Sequence, residues 1–120
     1  MFVVRQQHLD AFAAAAYESF EDRMVLHLKS RFPSECEELG DPGVRDRIAE
    51  GVERAERYEI RAEKDVATFI RYMFGLRRDF DRSRKTAWAG DVLRETDVPA
   101  TERLARIKEI SREKRSEGES

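Results

Sequence analysis

The apolar residues of this chain recur at intervals of three and four, and this spacing restricts the fold more than any other sequence feature. From about Arg5 to Arg31 the recurring positions are Leu9, Phe12, Ala13, Ala16, Phe20, Met24 and Leu28. At about 100° per residue these side chains share one face of a helix. No segment alternates apolar and polar residues convincingly, as a half-buried strand would. We therefore predict an all-α chain.

Helix-breaking residues divide the next part of the chain. Pro33 disfavours a helical residue before it and ends the first helix. Ser34 is an expected N-cap for a single turn over Glu35–Leu39. Gly40 then follows where a residue of positive φ is needed. A second helix is predicted from Pro42 to Tyr58, since proline suits the first helical position.

Three further helices are predicted. One begins near Glu63, carries the most apolar face of the chain and ends at Gly75. The charged segment 77–85 is expected to be a loop with its one aromatic residue, Phe80, facing inward. Thr86 is an expected cap for a short helix, and the last helix begins after Pro99.

The expected architecture is a compact, bundle-like or orthogonal packing of about five helices, with the long first helix as its spine. The 120 residues suit one domain, predicted over residues 1–110. Residues 111–120 are predicted to be a disordered charged tail. Gly51, inside the second helix, costs up to about 1 kcal/mol relative to alanine, which indicates either close packing of another backbone or a tolerated loss of stability. The predicted core comprises Leu9, Phe12, Phe20, Met24, Leu28, Val44, Ile48, Val52, Val66, Phe69, Ile70, Met73 and Leu104.

Composition narrows the functional classes. Apolar and charged residues each make up 40% of the chain, and 23 basic residues against 25 acidic ones leave a net charge of −2. A nucleic-acid-binding protein normally carries a basic excess, so we expect no nucleic-acid partner. The single cysteine, Cys36, allows no internal disulfide and fits a reducing compartment. With no apolar run of about 20 residues and no signal-peptide pattern, we expect no membrane partner and a cytoplasmic location.

The chain also lacks the patterns that carry catalytic chemistry. His8 and His27 differ by about 100° in direction and about 28 Å in height on one helix, so they cannot share a metal. Glycine-rich phosphate loops, serine elbows and paired cysteines are absent from the sequence. We therefore predict no enzyme activity, no cofactor and no metal site.

The densest basic feature is a candidate partner-binding site. Five cations fall within nine residues, tempered by two aspartates, and a tryptophan follows. Such a segment can dock on an acidic protein surface, or it can be an ordinary charged connector between helices. The tryptophan is expected in the core, and an exposed one would be a candidate binding hot spot. The candidate site residues are Arg77, Arg78, Arg82, Arg84, Lys85 and Trp88.

Several short strings resemble a group of small, uncharacterised all-helical bacterial proteins of type VI secretion and effector gene neighbourhoods. They are Phe20-Glu21-Asp22-Arg23-Met24-Val25-x-His27-Leu28, Phe32-Pro33, Cys36-Glu37-x-Leu39-Gly40, Gly51-Val52-Glu53-Arg54-Ala55-x-x-Tyr58-x-Ile60, Glu63-x-Asp65-Val66, Phe74-Gly75-x-x-x-Asp79-Phe80-Asp81 and Trp88. The resemblance covers roughly residues 1–107. It implies a non-catalytic accessory protein without catalytic residues.

Together these observations predict a protein that binds another protein, as an adaptor or chaperone for a secreted type VI effector. The partner would be a secretion-system component or the effector itself. Two alternatives remain open, an immunity-type inhibitor of a bacterial toxin and a small helical metal or ligand binder. A homodimer is also possible through the face formed by Ala13–Ala16 and the apolar amino terminus.

Overall fold

A computed structural model describes the backbone of residues 11–119 and the side chains of residues 14–115. Over that range it contains helices and turns and no strand, so the all-α prediction is confirmed. A short 3-10 helix, Arg84–Thr86, precedes the fourth α-helix. The five α-helices are α1 (Ala11–Arg31), α2 (Pro33–Arg57), α3 (Glu63–Gly75), α4 (Ala87–Leu93) and α5 (Ala100–Glu119).

The chain divides into two compact units at Arg78–Asp79. The first unit, residues 1–78, contains α1, α2 and α3, and the second, residues 79–120, contains α4 and α5. The single domain over 1–110 stays a prediction.

The junction between α1 and α2 is a single residue. Phe32 is not helical, and its N–H donates to the carbonyl of Leu28 at 2.7 Å. Proline at the first position begins α2, so Ser34 lies inside the helix and is not the expected N-cap. At Gly40 the backbone leaves the helical region, with φ 72° and ψ 163°. The predicted single turn and second helix are thus the two parts of α2, and the predicted positive φ is confirmed.

A tight turn ends α2 without a glycine. The N–H of Ile60 donates to the carbonyl of Ala55, and the N–H of Glu59 to that of Glu56, both at 3.0 Å. These two bonds form a Schellman motif, in which the residue after the cap adopts a left-handed conformation. Glu59 holds that position with φ 59°. The motif turns the chain towards α3 and places Ile60 in the core, at 1% exposure.

Each helix of the first unit packs against the other two. A Cβ atom added at Gly51 would lie 2.6 Å from Cγ1 of Ile70, so another helix does pack closely against this glycine, through a side chain and not through the backbone that was predicted. Leu9 lies outside the described residues, and the side chain of Phe12 is outside them too. All other predicted core residues, including Leu104 of the second unit, are buried. The buried apolar residues of the first unit are Phe20, Met24, Val25, Leu28, Cys36, Val44, Ile48, Val52, Ala55, Ile60, Val66, Phe69, Ile70 and Met73.

In the second unit, α4 packs against α5. Phe80 is fully buried, as predicted. Thr86 occupies the N-cap position of α4, but its hydroxyl donates to the carbonyl of Phe80 at 2.7 Å instead of capping the helix. Arg103 of α5 is buried, and its guanidinium donates to the carbonyls of Val98 and Leu93, each at 2.8 Å. This arginine satisfies a carbonyl that the end of α4 leaves open.

The carboxyl end of α5 differs from the sequence prediction. The helix continues to Glu119, whereas residues 111–120 are predicted to be disordered. Residues 112–115 are arginine, glutamate and lysine, which have high helix propensity without needing an apolar face. Helicity can therefore extend beyond the last core contact.

Candidate functional site: a groove between α2 and α3

The six predicted site residues fall in both compact units. Arg77 and Arg78 follow α3 in the first unit. Arg82, Arg84 and Lys85 are exposed in the second unit. The cations of the predicted docking segment are therefore described as two separate groups.

The first group lines a groove of the first unit with a volume of about 440 Å³, here called the α2–α3 groove. Its apolar wall consists of Leu39, Met73 and Phe74. Phe74 is positioned from the α1–α2 junction, because its ring lies 5.7 Å from that of Phe32. The charged lining residues are Glu35, Glu38, Arg47, Arg77 and Arg78. A groove that combines apolar and charged side chains is suited to an amphipathic ligand.

A network of charged hydrogen bonds fixes the position of Arg78 at this groove. The buried Arg54 donates to Glu50 at 2.7 Å and to the backbone carbonyl of Arg78, also at 2.7 Å. The guanidinium of Arg78 donates to the other oxygen of Glu50 at 2.9 and 3.2 Å. Arg54 and Glu50 of α2 therefore fix both the backbone and the side chain of Arg78. This constraint places the end of α3 beside the groove.

The pKa values show that Glu50 is committed to this network. Burial raises the pKa of Glu50, but the hydrogen bonds and charges of Arg78 and Arg54 outweigh it and keep the pKa below its usual value. The same bond from Glu50 raises the pKa of Arg78. One carboxylate thus serves two guanidinium groups and is fully engaged in the fold.

Arg47 is the groove arginine that this carboxylate does not neutralise. Burial, followed by the charge of Arg78, lowers the pKa of Arg47, and the opposing effect of Glu50 is too small to reverse the shift. Among the described residues, no carboxylate lies within ion-pairing distance of its guanidinium. Arg47 is partly buried, so a charge without an ionic partner sits beside the apolar wall. An anion bound there would be favoured.

The prediction from sequence therefore did not include Arg47, the residue that says most about what the groove can bind. Residues 47, 50 and 54 are three and four positions apart and share one face of α2. The Glu50–Arg54 pair was predictable from this spacing. The role of Arg47 was not, because it depends on where Arg78 lies after α3.

Two residues of the second group, Arg82 and Arg84, line a smaller pocket of about 150 Å³ in the second unit. Arg82, Arg84 and Arg94 line it, together with Asp81 and Asp91. An ion pair of 3.1 Å joins Arg94 to Asp91. Mixed charge in so small a pocket offers less to a protein segment than the α2–α3 groove does.

Trp88 is partly exposed and not buried in the core as expected. The ammonium of Lys114 lies 5.7 Å from the centre of its ring, which is a cation–π distance. The lysine covers part of the indole.

The histidines take no part in the groove. His8 lies outside the described residues. Nε2 of His27 is buried and has no hydrogen-bond partner among the described residues, in a cavity of about 510 Å³ that Met24 of α1 and Ala67 of α3 also line. Burial, then the charges of Arg71 and Arg31, lower the pKa of His27, which favours the neutral imidazole.

The described part of the chain shows neither a metal-binding cluster nor a membrane-spanning helix. Among the side chains of residues 14–115, no group of three or more histidine, cysteine, aspartate or glutamate residues is arranged to hold a metal ion. None of the helices described is both long and apolar enough to cross a bilayer. Comparison of the chain with protein-family models, curated proteins and solved structures gives no significant match.

Proposed function

We propose that this chain is a non-catalytic accessory protein that binds another protein through the α2–α3 groove. The observation that carries the proposal is the partly buried Arg47 beside an apolar wall, with which no carboxylate of the described residues forms an ion pair. Protein interfaces commonly combine such an arginine with apolar contacts. Binding would stabilise the complex both by covering apolar surface and by pairing the guanidinium.

The more specific role is an adaptor or chaperone that handles a secreted type VI effector. This part of the proposal rests on the resemblance of the sequence strings to proteins of such gene neighbourhoods. The groove supports it only by offering a place for a partner segment.

Site-specific photo-crosslinking in the cells that produce the protein tests this function. With p-benzoylphenylalanine at Phe74, irradiation should link the chain to a secretion-system component or an effector. The same group at Leu26, which is 69% exposed and outside the groove, is the matched control. Crosslinks that are equal at the two positions, or that contain no secretion or effector component, would contradict the proposal.

The fate of the captured partner separates an adaptor from an immunity-type inhibitor. An adaptor leaves its partner active, whereas an immunity protein inhibits a toxin. Measuring the activity of the purified partner with and without this chain therefore decides between the two. If stoichiometric amounts of this chain inhibit the partner, the chain is an immunity-type inhibitor and not an adaptor.

A further inference from the structure

We infer that the α2–α3 groove recognises a carboxylate in a segment of the partner protein, and that Arg47 is the residue that binds it. The segment would carry an aspartate or glutamate beside apolar side chains. This inference rests on the proposed function and adds the chemistry by which the partner is selected.

The charges of the groove region make the case for an anionic group. Arg47, Arg54 and Arg78 surround one carboxylate, Glu50, and the latter two use both of its oxygens. With the lining residues included, four arginines (Arg47, Arg54, Arg77 and Arg78) stand against three glutamates (Glu35, Glu38 and Glu50). The region therefore keeps a positive excess, which we assign to Arg47. A carboxylate can accept two parallel hydrogen bonds from such a guanidinium, a geometry that ammonium groups cannot match.

The surroundings of Arg47 make an ion pair there stronger than one on an open surface. Met73 is buried, and Leu39 and Phe74 are partly buried. Apolar neighbours lower the local dielectric constant and reduce screening by salt. The same three side chains give the apolar part of a bound segment a surface to cover.

The remaining charges restrict the segment further. Glu35 and Glu38 also line the groove, on the part of α2 that precedes the Gly40 break. They would repel a segment that is acidic throughout. The complementary segment therefore has a single acidic position among apolar residues, with neutral or basic residues elsewhere.

Selection from a displayed peptide library on the full-length protein tests the inference and does not require the partner to be identified first. Enriched peptides should share one aspartate or glutamate next to apolar residues. A synthetic selected peptide with a fluorescent label is then titrated with the protein by fluorescence anisotropy. Arg47→Gln should weaken binding by about tenfold or more.

Two further variants make the result specific. Arg106→Gln removes the same charge from an exposed position of α5 and should leave the affinity unchanged. Arg47→Glu should abolish binding, and changing the acidic residue of the peptide to lysine should restore it. Urea unfolding of each variant confirms that the fold is intact.

Each of the other possible results contradicts a specific part of the inference or of the proposed function. If Arg47→Gln binds normally while Phe74→Ala does not, the groove binds a segment but the carboxylate inference fails alone. If no peptide is enriched, or binding ignores every groove substitution, the proposed function fails with it. If acetate competes as well as the peptide, the site takes a small anion. If light scattering shows a dimer that Arg47→Gln dissociates, the occupant is a second copy of this chain.

Discussion

Replacing Gly51 by alanine should test the close packing of α3 side chains against α2. An added Cβ would lie 2.6 Å from Cγ1 of Ile70 and 2.9 Å from Sδ of Met73. Carbon atoms in favourable contact are about 3.5–4.0 Å apart, so the new methyl group would be about 1 Å too close to Ile70. Since Ile70 is fully buried, it has no free space into which to move. The clash must therefore separate α2 from α3 locally.

Two opposing effects set the magnitude. Alanine is favoured over glycine within a helix by about 1 kcal/mol. Overpacking a filled core costs about 1–3 kcal/mol, and a 1 Å overlap with a fixed side chain belongs in the upper part of that range. We expect Gly51→Ala to lower the free energy of unfolding by about 1–2 kcal/mol. The melting temperature should then fall by about 4–8 °C.

Urea unfolding followed by far-ultraviolet circular dichroism measures this effect. Gly75→Ala is the matched control in α3, because its Cβ would lie 3.7 Å from Phe32, an ordinary contact. That variant should be at least as stable as the parent. In an Ile70→Ala background the clash with Ile70 is removed and only the contact with Sδ of Met73 remains, so the same substitution should destabilise the protein less. If Gly51→Ala is as stable as the parent in the original background, the close approach of α2 and α3 is refuted.

Three further predictions concern single residues. Arg103→Lys should lower the free energy of unfolding, measured in urea, by about 1–3 kcal/mol, because one ammonium group cannot reach both backbone carbonyls that the guanidinium binds, those of Val98 and Leu93. An unchanged urea midpoint would show that these two hydrogen bonds do not stabilise the fold. The pKa of His27 is lowered in the folded state, so the unfolded chain binds the proton first as the pH falls below about 6.5. Unfolding in urea at pH 7.5 and 5.5 should therefore show a smaller loss of stability on acidification for His27→Gln than for the parent, and equal losses would refute the shift. Glu59→Gly should raise the melting temperature by relieving a left-handed residue, a gain of about 0.5–1 kcal/mol, and a lower value would exclude the Schellman geometry.

The proposed function rests on an imbalance of charge at the α2–α3 groove. Glu50 is engaged by Arg54 and Arg78, and its pKa is held low by them. Among the described residues no carboxylate pairs with Arg47, so its guanidinium is available to the proposed partner. A binding role needs such a group to be accessible, and Arg47 is only partly buried.

Local sequence features were sufficient to predict much of the fold. Spacing of apolar residues placed α1 and α3, and their last residues, Arg31 and Gly75, agree with the predicted ends. Gly40 was identifiable because few residues other than glycine adopt a positive φ without strain. Gly51 was identifiable because glycine in a helix is unfavourable unless something packs against it. These features depend on neighbours within a few residues, so they can be read from the chain.

The tertiary structure alone decided which charged residues matter. The basic segment 77–85 is continuous in sequence, yet a boundary between compact units falls within it. Arg47 joins Arg78 at one groove although 31 positions separate them in the chain. Helical periodicity reports only which face of a helix is apolar. Which guanidinium finds a carboxylate, and which does not, depends on how helices distant in sequence meet, because charges interact through space and not along the chain.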